Sequence, residues 1–389
     1  MVAAVDPTYP LFPVAAFLAA GMLLLILMTS LIRQSWNLGV AFLCFWLFIA
    51  NLTRGINAII WADNADIKLY VYCDIVTRLQ LIAALVGPMS TLIITRRLYL
   101  IASLRTVEFP SASARRRDMF IEWTLGLVIP VLVAGPLFYT VQYYRFRVQE
   151  GFGCTVPADP TILTVLLVSS WDVIPPLVSV FFYYPKVIST FYRQGRDMNR
   201  FLRSNDSISR ASYIRILALA SIDLILTLPF GIVSLVIDIN PSAGEPFRFY
   251  DGWGYVHLAS DWQPIAFSYS NLLSKGNVTV SQFYFSSWVY PILSFIIFGF
   301  FGISSEARAS YHRAFHAVCG WFGWKQASLS HGGLHRGDVH MGERSVDLEI
   351  SSYPSHINPD TQLHGYGGDE GRPARDHECE SDVGFKESK

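Results

Sequence analysis

The sequence predicts an all-α integral membrane protein with seven transmembrane helices. Of its 389 residues, 52% are hydrophobic and only 15% are charged, a composition too apolar for an ordinary soluble domain. The apolar residues also gather in runs of about twenty, which is the helix length that crosses the roughly 30 Å hydrocarbon core of a bilayer. We therefore expect a multi-pass protein whose first partner is the lipid bilayer.

Seven windows of about nineteen residues are apolar enough to span a membrane. They lie near Pro10 to Ile32, Leu38 to Trp61, Tyr70 to Thr95, Phe120 to Thr140, Ile162 to Tyr184, Tyr213 to Ile239 and Gln282 to Ile303. We expect residues 10–303 to form the bundle and residues 1–9 to form a short extracellular N-terminus.

The distribution of Lys and Arg between the connections predicts the topology. The loops after the third and fifth spans carry six such residues each, whereas the opposite-side connections carry only Lys68, Arg145, Arg147, Arg248 and Lys275. Cytoplasmic loops are enriched in Lys and Arg. We therefore expect the N-terminus outside the cell, the C-terminus in the cytosol and the protein in the plasma membrane.

The residues after the seventh span fall into two parts. Residues 304–324 repeat apolar side chains at spacings of three and four, which predicts a short amphipathic helix on the inner membrane surface. Cys319 adjoins its apolar stripe and is either S-palmitoylated or unmodified. Residues 325–389 contain almost no apolar clusters, and we expect a disordered cytosolic tail.

Prolines occur inside several spans, and Pro229 in the sixth is the most informative. One interpretation is an ordinary transmembrane kink, because neighbouring helices can satisfy the carbonyl that a proline leaves free. The other is that Pro229 gives the sixth helix a hinge for an activating movement.

Two cysteines lie on the predicted extracellular side. Cys73 begins the third span and Cys154 lies in the second outer loop. Both would face an oxidising compartment, where disulfides persist. They form either a bridge that holds the loop over the bundle or two free thiols.

Four ionisable residues fall at depth within the spans: Arg54, Arg78, Asp172 and Asp223. Such residues are costly in a bilayer and are functional candidates by default. Either they pair with one another or with backbone groups to hold the bundle together, or they form the floor of a polar ligand pocket. In the second case its aromatic walls would come from Trp61, Trp171, Tyr269 and Trp288.

Enzymatic and cofactor functions are disfavoured by the motifs. The sequence has no glycine-rich phosphate loop, no His-Glu-x-x-His and no Gly-x-Ser-x-Gly, and the seventh span has no lysine for a retinal Schiff base. The histidines lack a metal-binding repeat, and the basic loops are explained by topology without nucleic acid. A seven-helix transporter that uses Asp172 and Asp223 as ion sites is the alternative class.

Several short stretches together resemble the fungal mating-pheromone receptors for farnesylated lipopeptides, the class D G-protein-coupled receptors. The resemblance spans about residues 10 to 324. Its stretches are Asn57 to Trp61, Cys73 to Ile75, Arg96 to Tyr99, Gly151 to Cys154, Tyr213 to Ala220, Tyr255 to Leu258, and Phe301 to Ala307 with Tyr311. This chain departs from the family at Tyr72, where Trp is frequent.

The resemblance implies an extracellular peptide ligand with a prenylated, carboxymethylated C-terminal cysteine. It also implies a heterotrimeric G protein, bound through its Gα subunit, as the intracellular partner. The long, aromatic third outer loop suits the peptide, and we expect contacts from His257, Asp261 and Trp262. The sequence leaves open whether the receptor forms a homodimer.

Five arginines are candidates for the G-protein contact. Arg96 and Arg97 close the third span, where they are either partner contacts or an anchor that reaches the membrane surface. The loop after the fifth span offers Arg193, Arg196 and Arg200.

Overall fold

The helical spans of the sequence prediction are present in the computed structural model. The structure describes residues 4–33, 37–103, 112–157, 161–193, 210–239, 248–257 and 262–303. Within these ranges seven helices are long and apolar enough to cross a membrane. The all-α, seven-helix membrane prediction is confirmed, while the direction in which the bundle crosses the bilayer stays a prediction.

Four of the spans are continuous α-helices, because their apolar residues are interrupted by few helix-breaking groups. They are α1 (Leu11–Arg33), α2 (Leu38–Ile60), α3 (Tyr70–Ser103) and α6 (Arg210–Ile239). The other three spans are α4 (Ala112–Val141), α5 (Ile162–Arg193) and α7 (Asn277–Gly302).

The α4, α5 and α7 spans change their helical pitch along their length. In α4 one wide π turn contains Pro136 and the other ends just before Pro130, whose missing N–H leaves a carbonyl unpaired. The successive segments of α4 are Ala112–Trp123, Thr124–Val128, Ile129–Leu132, Val133–Leu137 and Phe138–Val141. Those of α5 are Ile162–Leu167, Ser169–Asp172, Ile174–Val178, Ser179–Tyr183 and Tyr184–Arg193. Those of α7 are Asn277–Ile297 and Phe298–Gly302.

Pro229 lies in a different setting from the prolines of α4 and α5. It sits inside α6, which stays α-helical from Arg210 to Ile239. The breaks in helical pitch therefore occur elsewhere, and the hinge at Pro229 stays a prediction.

Four predicted span boundaries were wrong. The third helix continues past Thr95 to Ser103 and the fifth past Tyr184 to Arg193. The fourth begins at Ala112 instead of near Phe120, and the seventh begins at Asn277 instead of near Gln282. Hydropathy detects only the part of a helix that matches hydrocarbon, whereas polar turns can continue the helix beyond it. Arg96 and Arg97 consequently lie inside α3 and do not end it.

A small three-stranded sheet, which the sequence did not predict, is built from the connections after α4 and α6. Its strands are β1 (Arg147–Gln149), β2 (Gly153–Thr155) and β3 (Ile265–Phe267), in the order β2-β1-β3. Strand β1 pairs antiparallel with β2 and parallel with β3. The turn between β1 and β2 needs glycine, because Gly151 has φ of 81°. Two short helices, Trp253–Val256 and Tyr269–Ser274, lie with β3 in the connection between α6 and α7.

The two ends of the bundle are named here by their chemistry. The disulfide end comprises the helix ends joined by residues 61–69, 142–161 and 240–276. The arginine end comprises those joined by residues 34–37, 104–111 and 194–209. The largest buried apolar cluster draws on α1, α2, α3, α5, α6 and α7, with Leu23, Leu43, Ile94, Val187, Leu219 and Ile297 as members.

Some predicted features lie outside the described residues. They are Asp261, Arg196, Arg200, Cys319, the amphipathic helix of residues 304–324 and the tail of residues 325–389. Arg193 ends the last described helix before one of these gaps.

Candidate functional site

A disulfide joins Cys73, near the start of α3, to Cys154 on β2. Both residues are fully buried, and they pack in one cluster with Trp61, Phe146 and Val148. The bond therefore fixes the sheet to the ends of α2 and α3. Of the two interpretations of these cysteines, the structure has the bridge.

Trp61 belongs to this cluster and not to the wall of a ligand pocket. Its side chain is 0% exposed, stacks on Tyr72 at 6.2 Å between ring centroids, and donates from Nε1 to the carbonyl of Asp66 at 2.9 Å. The pocket prediction for Trp61 was wrong, because hydropathy cannot distinguish an aromatic side chain that faces a cavity from one that packs under a loop.

Asn57 fastens the hairpin to the helices beneath it. Its Nδ2 donates to the carbonyl of Cys154 at 3.0 Å, and its Oδ1 accepts from the hydroxyl of Tyr72 at 2.9 Å. Gly153 lies directly above, with φ of 75°, and a Cβ there would come within 2.6 Å of the Asn57 Cβ. The close approach and the left-handed backbone both require glycine at this position.

A hydrogen-bond chain connects the N-terminus to the sheet and to α7. Glu150 accepts from the backbone N–H of Tyr269 at 2.7 Å, and the Tyr269 hydroxyl lies 3.1 Å from that of Tyr284. The Tyr284 hydroxyl in turn donates to Asp6 at 2.7 Å. Tyr269, predicted as a pocket wall, is thus part of the structure that covers the disulfide end.

Arg145 is neutralised at this end by a bidentate ion pair. Its Nε and Nη2 donate to the Asp74 carboxylate at 3.0 and 2.6 Å. The hydrogen bond to Asp74 raises the pKa of Arg145 above its ordinary value. The pair connects the start of α3 to the connection that precedes β1.

The Arg78 side chain is held by contacts with α4 and the residue that follows it. Its Nη1 donates to the carbonyl of Ala134 at 2.9 Å and its Nη2 donates to Gln142, while the guanidinium lies 5.0 Å from the Phe138 ring centroid. These contacts join α3 to α4. They match the interpretation in which an intramembrane charge holds the bundle together.

Arg54 has fewer polar partners than Arg78 among the described residues. Its guanidinium lies 4.3 Å from the centroid of the Tyr290 ring on α7, and its Nε is buried without a hydrogen-bond partner. A buried donor without an acceptor is costly. Arg54 is therefore the intramembrane arginine with capacity for a ligand acceptor.

The two intramembrane aspartates have separate partners. Asp223 on α6 accepts a hydrogen bond from Thr91 on α3. Asp172 on α5 lies near Asp238 of α6, which accepts from Ser169 at 3.1 Å. Among the described residues, no ion pair connects either aspartate to Arg54 or Arg78. Each of the two aspartates thus has a partner other than these arginines, and the polar pocket floor stays a prediction.

Trp171 and Trp288 also lie apart from each other. Trp171 packs beside a cluster formed by α3 and α4 and donates from Nε1 to the carbonyl of Leu167 at 3.0 Å. Trp288 meets Phe12 of α1 at 5.5 Å between ring centroids. The predicted aromatic wall was wrong as a single surface, because these side chains point to different helix interfaces.

His257 and Trp262 do come together. The imidazole stacks on Trp253 at 4.0 Å and on Trp262 at 5.6 Å between ring centroids. Its Nε2 lies 2.9 Å from the carbonyl of Tyr139 at the end of α4. The rings of Tyr139, Trp253, His257 and Trp262 thus form an aromatic cluster at the disulfide end.

Among the described residues, side-chain pairs connect the helices toward the arginine end. Arg96 forms an ion pair with Asp118, and Arg97 lies 3.7 Å from Glu122, so both join α3 to α4. Further pairs connect α3 to α5 through Thr95 and Ser179 at 3.0 Å, and α5 to α6 through Tyr184 and Ser221. Neither arginine is only a lipid anchor.

Sequence reasoning missed several residues at the disulfide end, among them Asn57, Glu150 and Arg147. Asn57 carried a local signal, since a polar amide one turn before the end of an apolar helix needs partners. Glu150 and Arg147 carried none beyond their charge, because their partners come from the distant residues Tyr269 and Phe283.

The sequence profile of the STE3 family, described as pheromone A receptor, matches residues 11–322. The chain is 31% identical over 315 residues to the pheromone B alpha 3 receptor of Schizophyllum commune, covering 81% of this chain and 49% of that protein. It is 29% identical over 285 residues to pheromone receptor 1 of Mycosarcoma maydis, covering 73% and 77%. It is 24% identical over 286 residues to the pheromone a factor receptor of Saccharomyces cerevisiae, covering 72% and 57%. The chain spans about half the length of the Schizophyllum relatives.

Proposed function

The chain belongs to the STE3 family of pheromone A receptors, and on this premise we propose that it is a G-protein-coupled receptor for an extracellular farnesylated peptide pheromone. The observation that carries the proposal is the family match over residues 11–322, which includes all seven spans. The mating response would then start from a heterotrimeric G protein at the plasma membrane.

The proposed orientation has the disulfide end outside the cell. Two observations support it. The Cys73–Cys154 bond needs an oxidising compartment, and the connections and adjoining helix turns of the arginine end carry six Lys or Arg residues from Arg96 to Arg117 and six from Lys186 to Arg210. In this orientation the sheet and the aromatic cluster face the pheromone. The arginine end faces the cytosol and the Gα subunit.

A farnesyl chain suits a receptor embedded in a bilayer. Each buried carbon contributes about 0.8 kcal/mol, so fifteen carbons supply much of the affinity without a polar contact. Selectivity among pheromones must then come from the peptide. We assign peptide contacts to Arg54, with its free Nε, and to the aromatic cluster around His257.

Coupling to Gα would use the arginine end. The basic residues after α5, which include Arg193, Arg196 and Arg200, offer a positively charged surface. Arg96 and Arg97 are bound to α4 acids in this structure, so they would contact Gα only after α3 and α4 shift. Cys319 stays a predicted palmitoylation site and homodimer formation stays open.

The experiment is a nucleotide-exchange assay. Membranes that contain this chain and a purified heterotrimeric G protein are exposed to a panel of farnesylated, carboxymethylated peptides and to the same peptides without farnesyl. We expect exchange on Gα with at least one farnesylated peptide and a large loss without the lipid. Solute flux in vesicles without any exchange response would support a transporter instead and overturn the receptor proposal.

A further inference from the structure

Arg147 lies on the middle strand of the sheet and faces the bundle. Its neighbour Val148 points into the disulfide cluster, so alternation along the strand directs Arg147 to the opposite face. There its guanidinium lies 5.6 Å from the Phe283 ring centroid and 5.9 Å from that of Phe267. Phe283 belongs to the face of α7 that also carries the buried Ser287, one turn further along.

Lys275 places a second cation beside Arg147. Its Nζ lies 5.1 Å from the centroid of the same Phe267 ring. Burial lowers the pKa of Arg147, and burial together with the positive charge of Arg147 lowers the pKa of Lys275. Two like charges are therefore held close together against aromatic rings.

Neither cation has a counter-ion in the part of the chain that the structure describes. The hydrogen bond of Arg147 is neutral, from Nε to Thr155 Oγ1 at 3.1 Å, and no ion pair involves Arg147 or Lys275. Arg145, two residues earlier, is the natural comparison because it holds Asp74 in a bidentate pair. Arg145 is thus neutralised by an acid, whereas Arg147 contacts aromatic rings and a hydroxyl without an acid among the described residues.

We propose that Arg147 and Lys275 bind the carboxylate of an acidic side chain in the peptide ligand. The inference rests on the proposed receptor function and adds the chemical class of the peptide. A guanidinium presents a planar fork that matches a carboxylate, and the Phe267 and Phe283 rings limit access of competing water. The carboxymethylated C-terminus of the ligand is uncharged, so the acid must be an Asp or Glu side chain.

A peptide suits this position better than a lipid headgroup. Arg147 is on the central strand, with Thr155 on one side and β3 on the other, and faces α7 beneath the sheet. Headgroups of the surrounding bilayer lie outside the helices. A peptide that enters over the bundle would meet Arg147 directly, with the more exposed Lys275 at its edge.

The test uses pairs of farnesylated peptides that differ only by Asp against Asn, or Glu against Gln, at one position. They are measured for binding and Gα exchange on the full chain in nanodiscs. Arg147→Gln should weaken binding of the responsive acidic peptide about 10- to 100-fold and change binding of its amide partner less than about threefold. Lys275→Gln should weaken binding of the acidic peptide about two- to fivefold.

Arg145→Gln is the matched control, because it removes a cation that already has an acid. Arg145→Gln should weaken binding of the acidic and amide peptides equally. Arg147→Lys should keep part of the preference for the acidic peptide over the amide peptide. Binding of the amide peptide also reports that each variant is folded. These results together would support the proposal.

Three outcomes would overturn the inference alone. The first is that Arg147→Gln weakens binding of the acidic and the amide peptide equally. The second is that the peptides that activate Gα contain no acidic residue. The third is that the effect of Arg147→Gln on binding changes with the anionic lipid content of the nanodisc and not with the charge of the peptide. Absence of binding by every farnesylated peptide would overturn the receptor proposal, and this inference with it.

Discussion

The two ends of the bundle are held together by different kinds of bond. At the disulfide end, a covalent bond and backbone hydrogen bonds join chain segments far apart in sequence, as between Glu150 and Phe267 at 3.0 Å. Toward the arginine end, helices are joined by single side-chain pairs, such as Thr91 with Asp223 and Arg96 with Asp118.

The difference has a mechanical consequence. Breaking a disulfide or a strand pairing would disorder the cover of the bundle, whereas one side-chain pair can be exchanged for another at small cost. Side-chain hydrogen bonds between transmembrane helices are worth about 0.6 kcal/mol on average. We therefore expect the disulfide end to keep its shape while helices at the arginine end separate.

The largest effect is expected from removing the disulfide. Replacing Cys73 or Cys154 with Ser should reduce surface expression and pheromone response strongly and to the same extent. The reason is that either change opens the same bridge across 81 residues, worth about 2–5 kcal/mol. Flow cytometry of an epitope-tagged chain would measure expression.

Cys44→Ala is the control for the disulfide variants, because Cys44 is a free, buried cysteine. It should keep the surface expression of the parent chain. A normal response from both Cys73→Ser and Cys154→Ser would show that the disulfide end does not depend on its covalent bond.

Asn57→Ala should have the next largest effect. It removes the hydrogen bonds to the Cys154 carbonyl and from Tyr72, and leaves that buried carbonyl without its donor at a cost of about 1–3 kcal/mol. We expect a lower melting temperature in detergent. Asn64→Ala removes exposed hydrogen bonds with Asp63 and the Asp66 N–H and a partly buried one from Lys68, and it should lower the melting temperature less than Asn57→Ala does.

Asp223→Leu tests the arginine end. It removes the acceptor for Thr91 between α3 and α6, and basal nucleotide exchange should rise about threefold because separation of these helices costs less. Asp223→Asn keeps an acceptor oxygen and should stay near the parent value. A fall in basal exchange in Asp223→Leu would contradict the interpretation that the Thr91–Asp223 hydrogen bond restrains the separation of α3 and α6.

The smallest effect on stability is expected from Arg97→Ala. Its pair with Glu122 is long, at 3.7 Å, and partly exposed, so its loss costs about 0.2–1 kcal/mol. Ligand binding should stay nearly intact while Gα activation weakens. Glu122→Gln separates the causes: equal weakening would assign the effect to the ion pair, and weakening by Arg97→Ala alone would assign it to contact with Gα.

Much of the fold follows from local sequence. Each span is a window whose apolar residues favour hydrocarbon whatever their neighbours are, and the seven spans could therefore be predicted one by one. Cys73 at the start of the third span and Cys154 in the second outer loop likewise made their bridge one of two expectations, and the structure contains it. Helix ends beyond the hydrocarbon, as at Ser103, carry no such signal.

The candidate site was much less predictable. Trp61, Trp171 and Trp288 all looked like pocket walls, yet they pack into three separate interfaces. Hydropathy gives the depth of a residue in the membrane but not the rotation of its helix. Tryptophans at suitable depths can therefore point to different neighbours.

The sequence by itself determined the number of spans, the uneven distribution of charge and the family. These depend on local composition and on ordered short stretches. Only the tertiary structure decided that Arg145 meets Asp74 while Arg147, two residues later, meets the rings of Phe267 and Phe283. Arg145 lies in the bend before β1 and Arg147 lies on β1 itself, so each reaches partners from different distant segments, and no local pattern contains that information.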